Sequence, residues 1–247
     1  MLASQTRSEP NRSEPNRSEP IDSLEHLDTL SSAERWTRAL AILARVLADP
    51  ERTDQVLVFS SLVNAGSTPR RIHNFFSDPQ GQRLYDEHRA IDSHTIDLEA
   101  LAALPEGTLG HAYAHFLRSR GLTPEVFDAP PAEVKDPRAQ YVVMRIRQTH
   151  DLWHVVTACS TDPAGEIALQ AFSFAQTRAP STLILAVAGM LRGTRERRTL
   201  PREVLAAYRA GAHAERLATF PWEDHWATPL AEVRALLGLP DQPRAAA

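Results

Sequence analysis

Hydrophobic positions recur at three- and four-residue intervals through most of this chain, the spacing of amphipathic helices. Ser31 and Glu34 have capping-box spacing, and Trp36, Leu40, Leu43 and Leu47 follow before Asp49-Pro50 stops the segment. Asp49 can cap and Pro50 open a second helix carrying Val56, Leu57, Phe59, Leu62 and Val63, ending near Gly66. Thr68-Pro69 opens a third with Ile72, Phe75 and Phe76. The same reading predicts helices over Asp97–Leu104, Thr108–Arg118, Arg138–Cys159, Gly165–Thr177, Thr182–Leu191, Pro201–Thr219 and Pro229–Leu237. Period-two strands are absent apart from the ambiguous Tyr141-Val142-Val143, so the predicted fold is all-α: a single multi-helix domain over 21–240. Before it, Arg-Ser-Glu-Pro repeats from Arg7 to Pro20 with no hydrophobe to bury, which predicts a disordered leader over 1–20; a flexible tail is expected over 241–247.

Composition narrows the classes. The 247 residues are 43% apolar and 23% charged, enough to bury a core. A net charge of -4 argues against a broadly basic nucleic-acid surface. The single cysteine, Cys159, cannot form an intrachain disulfide and suits a reducing compartment. The longest apolar run, Leu183 to Leu191, is about half of the roughly 18 residues that a membrane span needs. No apolar secretory core follows Met1, and Glu9, Glu14 and Glu19 count against an acid-poor mitochondrial presequence. The expectation is a cytoplasmic protein, touching a membrane from that side if at all.

The chemistry gathers in His150-Asp151-Leu152-Trp153-His154, with Glu166 beyond it. At about 100° per residue all three polar side chains leave one helix face, so two imidazoles and a carboxylate can converge. That donor set suits zinc, with magnesium or manganese as harder alternatives. On a continuous helix Glu166 would stand about 24 Å along the axis from His150. The break at Ser160-Thr161-Asp162-Pro163-Ala164-Gly165 allows a second helix to return it as a fourth ligand, with proline ending the first helix and glycine supplying unusual dihedrals. Spacing alone leaves a hydrogen-bonded core network open as the other reading. A zincin protease would need glutamate where Asp151 stands.

His-Asp-x-x-His, eleven residues, then Glu resembles the signature of the ubiquinone (coenzyme Q) biosynthesis protein Coq4 family, and His150, Asp151, His154 and Glu166 fill it. Leu104-Pro105-Glu106-Gly107-Thr108-Leu109-Gly110, Gly165-Glu166-Ile167-Ala168-Leu169 and Pro221-Trp222-Glu223 are also similar to family segments, and the resemblance covers most of Trp36 to Leu239. It departs at Arg145-Ile146-Arg147, where the family pattern has an aromatic between the arginines. The resemblance implies an all-α protein that binds zinc through the four residues and holds a polyprenyl chain in an apolar cavity. It implies removal of the ring carboxyl of a polyprenylated hydroxybenzoate, coupled to hydroxylation at that carbon. A homodimer and a role in organising other ubiquinone biosynthesis enzymes are implied as well. The alternative is a non-catalytic isoprenoid-binding scaffold for those enzymes.

Arg147 lies one turn before His150 on the same face, where its guanidinium can hold a substrate carboxylate or pair with Asp151 or Glu166; with Asp151 it is the candidate catalytic group. Phe172, Phe174, Leu183, Ile184, Leu185, Val187, Met190 and Leu191 can line a prenyl slot or fill ordinary core. Arg192, Arg195, Arg197, Arg198 and Arg202 form a cationic cluster that fits anionic lipid or a solvated loop. His111 and His115 lack an acidic partner on their face, and Cys159 shows no sign of activation.

Overall fold

A computed structural model of the chain describes residues 30–49, 53–128, 134–193 and 197–239. The repeat leader, the tail, Pro50, Arg195 and Glu196 lie outside the described residues. Among these there are eleven α-helices and no strand: α1 Ser32–Ala48, α2 Thr53–Asn64, α3 Thr68–Phe76, α4 Pro79–Asp86, α5 Leu98–Ala102, α6 Leu109–Arg120, α7 Pro137–Thr157, α8 Pro163–Thr177, α9 Pro180–Gly193, α10 Leu200–His213 and α11 Leu230–Leu236. Helical starts follow local chemistry. Ser31 and Glu34 close the capping box, while Asp78, Asp97, Thr108, Asp136 and Asp162 each cap a following helix through the side chain. The Tyr141-Val142-Val143 run lies inside α7.

Several elements depart from the sequence expectation. On α1 the core takes Ala39, Ile42 and Val46, leaving Trp36 and Leu40 exposed, because the helix is apolar on two stripes and α2 and α9 occupy only one. The second helix is described over Thr53–Asn64, and Asp49, expected to cap it, closes α1 as its C-cap. The helix α4 was not anticipated: its interior Gly81 breaks the apolar period, yet a side chain there would meet the Phe75 carbonyl, so glycine lets α4 sit against α3. α10 ends at His213 rather than running to Thr219. Gln176 from α8 donates to the Gly211 carbonyl at 2.6 Å and accepts from Leu217 N–H at 2.9 Å, groups that a longer helix would have paired internally.

The principal core joins Tyr113 and Leu117 of α6, Leu152 and Trp153 of α7, and Leu169 and Phe172 of α8 to Leu217, Trp222 and Val233. A second cluster packs α1 and α2 against Leu185 of α9, and Asn64 ties α2 to the start of α9 by bonding Ser181 Oγ and N–H at 2.9 Å and 3.0 Å. Two long-range ties decide where the chemistry sits. The segment ahead of α11 laces onto the start of α6: Leu109 and Gly110 N–H donate to Thr228 and Trp226 carbonyls at 2.9 Å and 2.8 Å. A side chain at Gly110 would collide with Leu104 and approach Trp226 O at 3.0 Å. Arg234 of α11 donates to Val156 O and Val155 O at 2.9 Å and 3.2 Å, satisfying carbonyls that the end of α7 leaves unpaired.

Candidate metal centre

α7 delivers His150, Asp151 and His154 in its last two turns, then ends at Ala158, whose left-handed φ of 53° reverses the chain. Asp162 caps α8 by accepting from Gly165 N–H at 2.8 Å, which fixes the first turn carrying Glu166. Gly165 is helical and does not supply the unusual dihedral expected of it. Its hydrogen instead admits the Ser160 carbonyl, which would stand 2.1 Å from a Cβ at this position. The reversal thus needs a left-handed residue at 158 and a missing side chain at 165.

The turn returns Glu166 to α7. His150, His154 and Glu166 each offer a ligand atom within 4.8 Å of the others, and His154 Nε2 lies 3.1 Å from Glu166 Oε1. Donors about 2.0–2.2 Å from a tetrahedral ion stand roughly 3.3–3.6 Å apart, so His154 and Glu166 are already close enough to share an ion, and a pair as wide as the 4.8 Å limit would have to draw in. His154 Nδ1 bonds the Cys159 carbonyl at 3.0 Å, which sets the tautomer and leaves Nε2 for an ion. Asp151 stands beside the three-residue cluster and is not one of its converging ligands.

Burial shapes the protonation of the site. It lowers His150, assisted by the nearby His154 charge, and so favours the neutral imidazole that binds metal. Burial would lower His154 too, but its hydrogen bond to Glu166 and that residue's charge outweigh it and raise the ring. The Asp151 carboxyl is raised by burial, against the pull of His150, His154 and Arg120. Tyr113 of α6, buried and stacked 5.6 Å from Trp226, is pushed above the ordinary phenol range by burial and by the Asp151 charge.

The α6 wall was given no role at the site from the sequence. Tyr113, Phe116 and Arg120 lie along one stripe of α6: Phe116 stacks on His154 with centroids 5.5 Å apart, and the Arg120 guanidinium carbon sits 4.0 Å from the Phe116 centroid. Three- and four-residue spacing was the available signal, but nothing local says which helix the stripe meets. Arg145 was likewise read only as a departure. Its fully buried guanidinium grips Glu223 with both terminal nitrogens and donates to Phe220 O at 2.9 Å, joining α7 to the turn over 222–225.

The other candidates are placed as follows. Arg147 is half-buried on α7 and engaged by a neighbour. His111 is half-buried and His115 exposed, and among the described residues neither joins the cluster. Cys159 is a free thiol raised by burial. A groove of about 350 Å³ between α8, α9 and α10 is lined in part by Phe174, Leu183, Val187 and Met190. Phe172, Ile184 and Leu185 turn into the cores instead.

Sequence and structure comparisons agree on a family. The family model described as Coenzyme Q (ubiquinone) biosynthesis protein Coq4 matches residues 25–243. The chain is 32% identical over 201 residues to the mitochondrial ubiquinone biosynthesis protein COQ4 of Laccaria bicolor, covering 81% of this chain and 67% of that one. It is 30% identical over 221 residues to the Bos taurus mitochondrial homolog, covering 89% and 83%. A crystal structure of a Nostoc punctiforme protein named for ubiquinone biosynthesis aligns with a TM-score of 0.66 at 30% identity, covering 81% of this chain and 96% of that one. These names overturn the cytoplasmic expectation, since the curated relatives are mitochondrial proteins. The acidic residues on which that expectation rested bear on one class of targeting signal only. With His150, His154 and Glu166 of the signature gathered into one cluster and the match running through all the described residues, the chain belongs to the Coq4 family and serves ubiquinone biosynthesis.

Proposed function

We propose that the chain is a zinc-dependent decarboxylase acting on the ring carboxyl of a polyprenylated hydroxybenzoate. The observation that carries this reading is the count of converging donors: His150, His154 and Glu166 make three, the number that leaves a coordination position for substrate, whereas closed structural zinc sites use four. A zinc ion bound there supplies Lewis acidity toward the oxygens of a phenolate or carboxylate. The chain's own residues do the remainder. His154, fixed by Cys159 and backed by Phe116, holds its ligand geometry. Asp151, buried beside the cluster and raised by that burial, is placed to give a proton to the ring carbon as the carbon–carbon bond breaks and carbon dioxide leaves.

The prenyl tail is assigned to the groove between α8, α9 and α10, where Phe174, Leu183, Val187, Met190 and Leu205 present an apolar lining on the helix that carries Glu166 and on its neighbours. Leu183, Val187 and Leu191 are exposed on α9, with Arg192, Arg198 and Arg202 nearby in the chain, a combination that suits an anionic membrane surface from which such a tail is drawn.

Incubation of the zinc-loaded chain with a short-chain prenylated hydroxybenzoate tests the reading. Carbon dioxide release that is lost in His154→Ala supports it, and dioxygen consumption in the same vessel tells whether the ring carbon takes a proton or a hydroxyl. The apolar groove favours a second reading, a non-catalytic isoprenoid-binding scaffold for other ubiquinone biosynthesis enzymes. Tight prenyl binding without turnover is its outcome.

A further inference from the structure

The proposed substrate carries a carboxylate, and the cluster of imidazoles and acids offers it no complementary fork. Arg147 was the sequence candidate for that task, but it is already engaged by a neighbour. Arg120 presents a different environment. It stands in the last turn of α6, and its guanidinium lies over the face of Phe116, the ring that also stacks on His154. The guanidinium carbon is therefore no farther from the His154 ring than 4.0 Å and 5.5 Å laid end to end.

The hydrogen bonds of Arg120 hold it without neutralising it. Nε donates to Thr161 Oγ1 at 3.1 Å, and one terminal nitrogen donates to Phe116 O at 3.3 Å and Ser119 Oγ at 3.0 Å. All three acceptors are uncharged. Among the described residues no carboxylate forms an ion pair with Arg120, and the second terminal nitrogen has no protein acceptor. Most exposed arginines lose conformational freedom when they bind an anion. Here an aromatic face and three hydrogen bonds have already restricted the side chain while its charge and one N–H₂ group remain available. Thr161 lies in the turn between α7 and α8, so the same contact couples Arg120 to the reversal that brings in Glu166.

We infer that Arg120 is the carboxylate-binding residue at the rim of this site and sets its specificity for an aromatic acid over the corresponding phenol. The inference rests on the reading of the site given above. It gives α6 and α7 separate tasks: α7 supplies the ligands, while α6 supplies the charge that orients the group to be lost.

The test compares two probes by calorimetric titration of the zinc-loaded full chain: 3-prenyl-4-hydroxybenzoate and the 2-prenylphenol that lacks its carboxyl. Arg120→Gln is expected to weaken binding of the acid roughly 10–100-fold while leaving the phenol within two-fold, with about the loss typical of a charge-assisted hydrogen bond. Arg120→Lys should recover part of the affinity for the acid, and zinc content should match the parent in both variants. Equal losses for acid and phenol would make Arg120 a wall-supporting residue and overturn the inference. Loss of discrimination in Arg147→Gln with none in Arg120→Gln would also overturn it, in favour of the α7 arginine. Failure of the parent chain to bind either probe would instead bring down the underlying substrate assignment. If Arg120→Gln lost its zinc, Arg120→Lys would decide alone: selectivity for the acid close to the parent's would sustain the inference, and equal weakening of both probes would end it.

Discussion

His154 Nε2 and Glu166 Oε1 face each other at 3.1 Å across a helix reversal, hydrogen-bonded to one another and close enough to share an ion. Replacing Glu166 by Gln keeps the shape and removes the anionic donor. Zinc affinity, measured by competition with a chromophoric chelator, should fall by more than the roughly 10–100-fold typical of losing a supporting hydrogen bond. Unchanged affinity would remove Glu166 from the ligand set.

The same contact gives the metal-free chain a pH signature. The folded His154 is raised above its ordinary value of 6.5 because the bond and charge of Glu166 outweigh burial. Its contribution to stability is complete below that ordinary value and fades as pH rises through the folded value. Denaturant titrations of the metal-free chain and of His154→Gln should therefore converge toward alkaline pH. Zinc reverses the sign: the ion must displace this proton, so zinc affinity should climb as pH rises through the same range.

Ala158 adopts φ 53°, a conformation that L-residues other than Asn and Asp enter at a cost. Ala158→Gly should stabilise the fold by about 1 kcal/mol in denaturant unfolding, with zinc binding retained. Gly165→Ala should act in the opposite sense and cost about 1–3 kcal/mol, because its new methyl collides with the Ser160 carbonyl and displaces the turn that aims Glu166.

Arg145 and Glu223 form a buried ion pair in which the arginine side chain is wholly covered. Glu223→Ala should destabilise the chain by about 3–5 kcal/mol, since it abandons a buried guanidinium. Adding Arg145→Met to that variant should recover much of the loss in thermal unfolding. A fully additive pair would show that the two side chains do not act as a unit.

Local pattern carried the helices and the ligands a long way. The period of α7 and the break after it were legible because caps, prolines and i, i+4 spacing are properties of neighbouring residues, but Asp162 and Pro163, read as part of that break, cap and open α8 two residues ahead of the expected start at Gly165. Gly165 was legible as special but for the wrong reason, since its role depends on where the Ser160 carbonyl lands. Trp36 and Leu40 marked the period of α1 but not its buried face, because α1 carries two apolar stripes and the choice between them is made by α2 and α9. The Tyr113, Phe116 and Arg120 wall was illegible for the same reason: it faces residues more than thirty positions away, and no periodicity encodes a partner at that distance.

Neither contact that steadies the ends of α6 and α7 is local. Trp226 and Thr228 hold the first turn of one, and Arg234 holds the last carbonyls of the other. During synthesis His150, His154 and Glu166 therefore leave the ribosome before Arg234, the side chain that secures the end of α7. The nascent chain must pass through an interval in which His150, His154 and Glu166 are all present but their frame is unclosed, and an ion captured in that interval would meet a looser site than the finished protein offers.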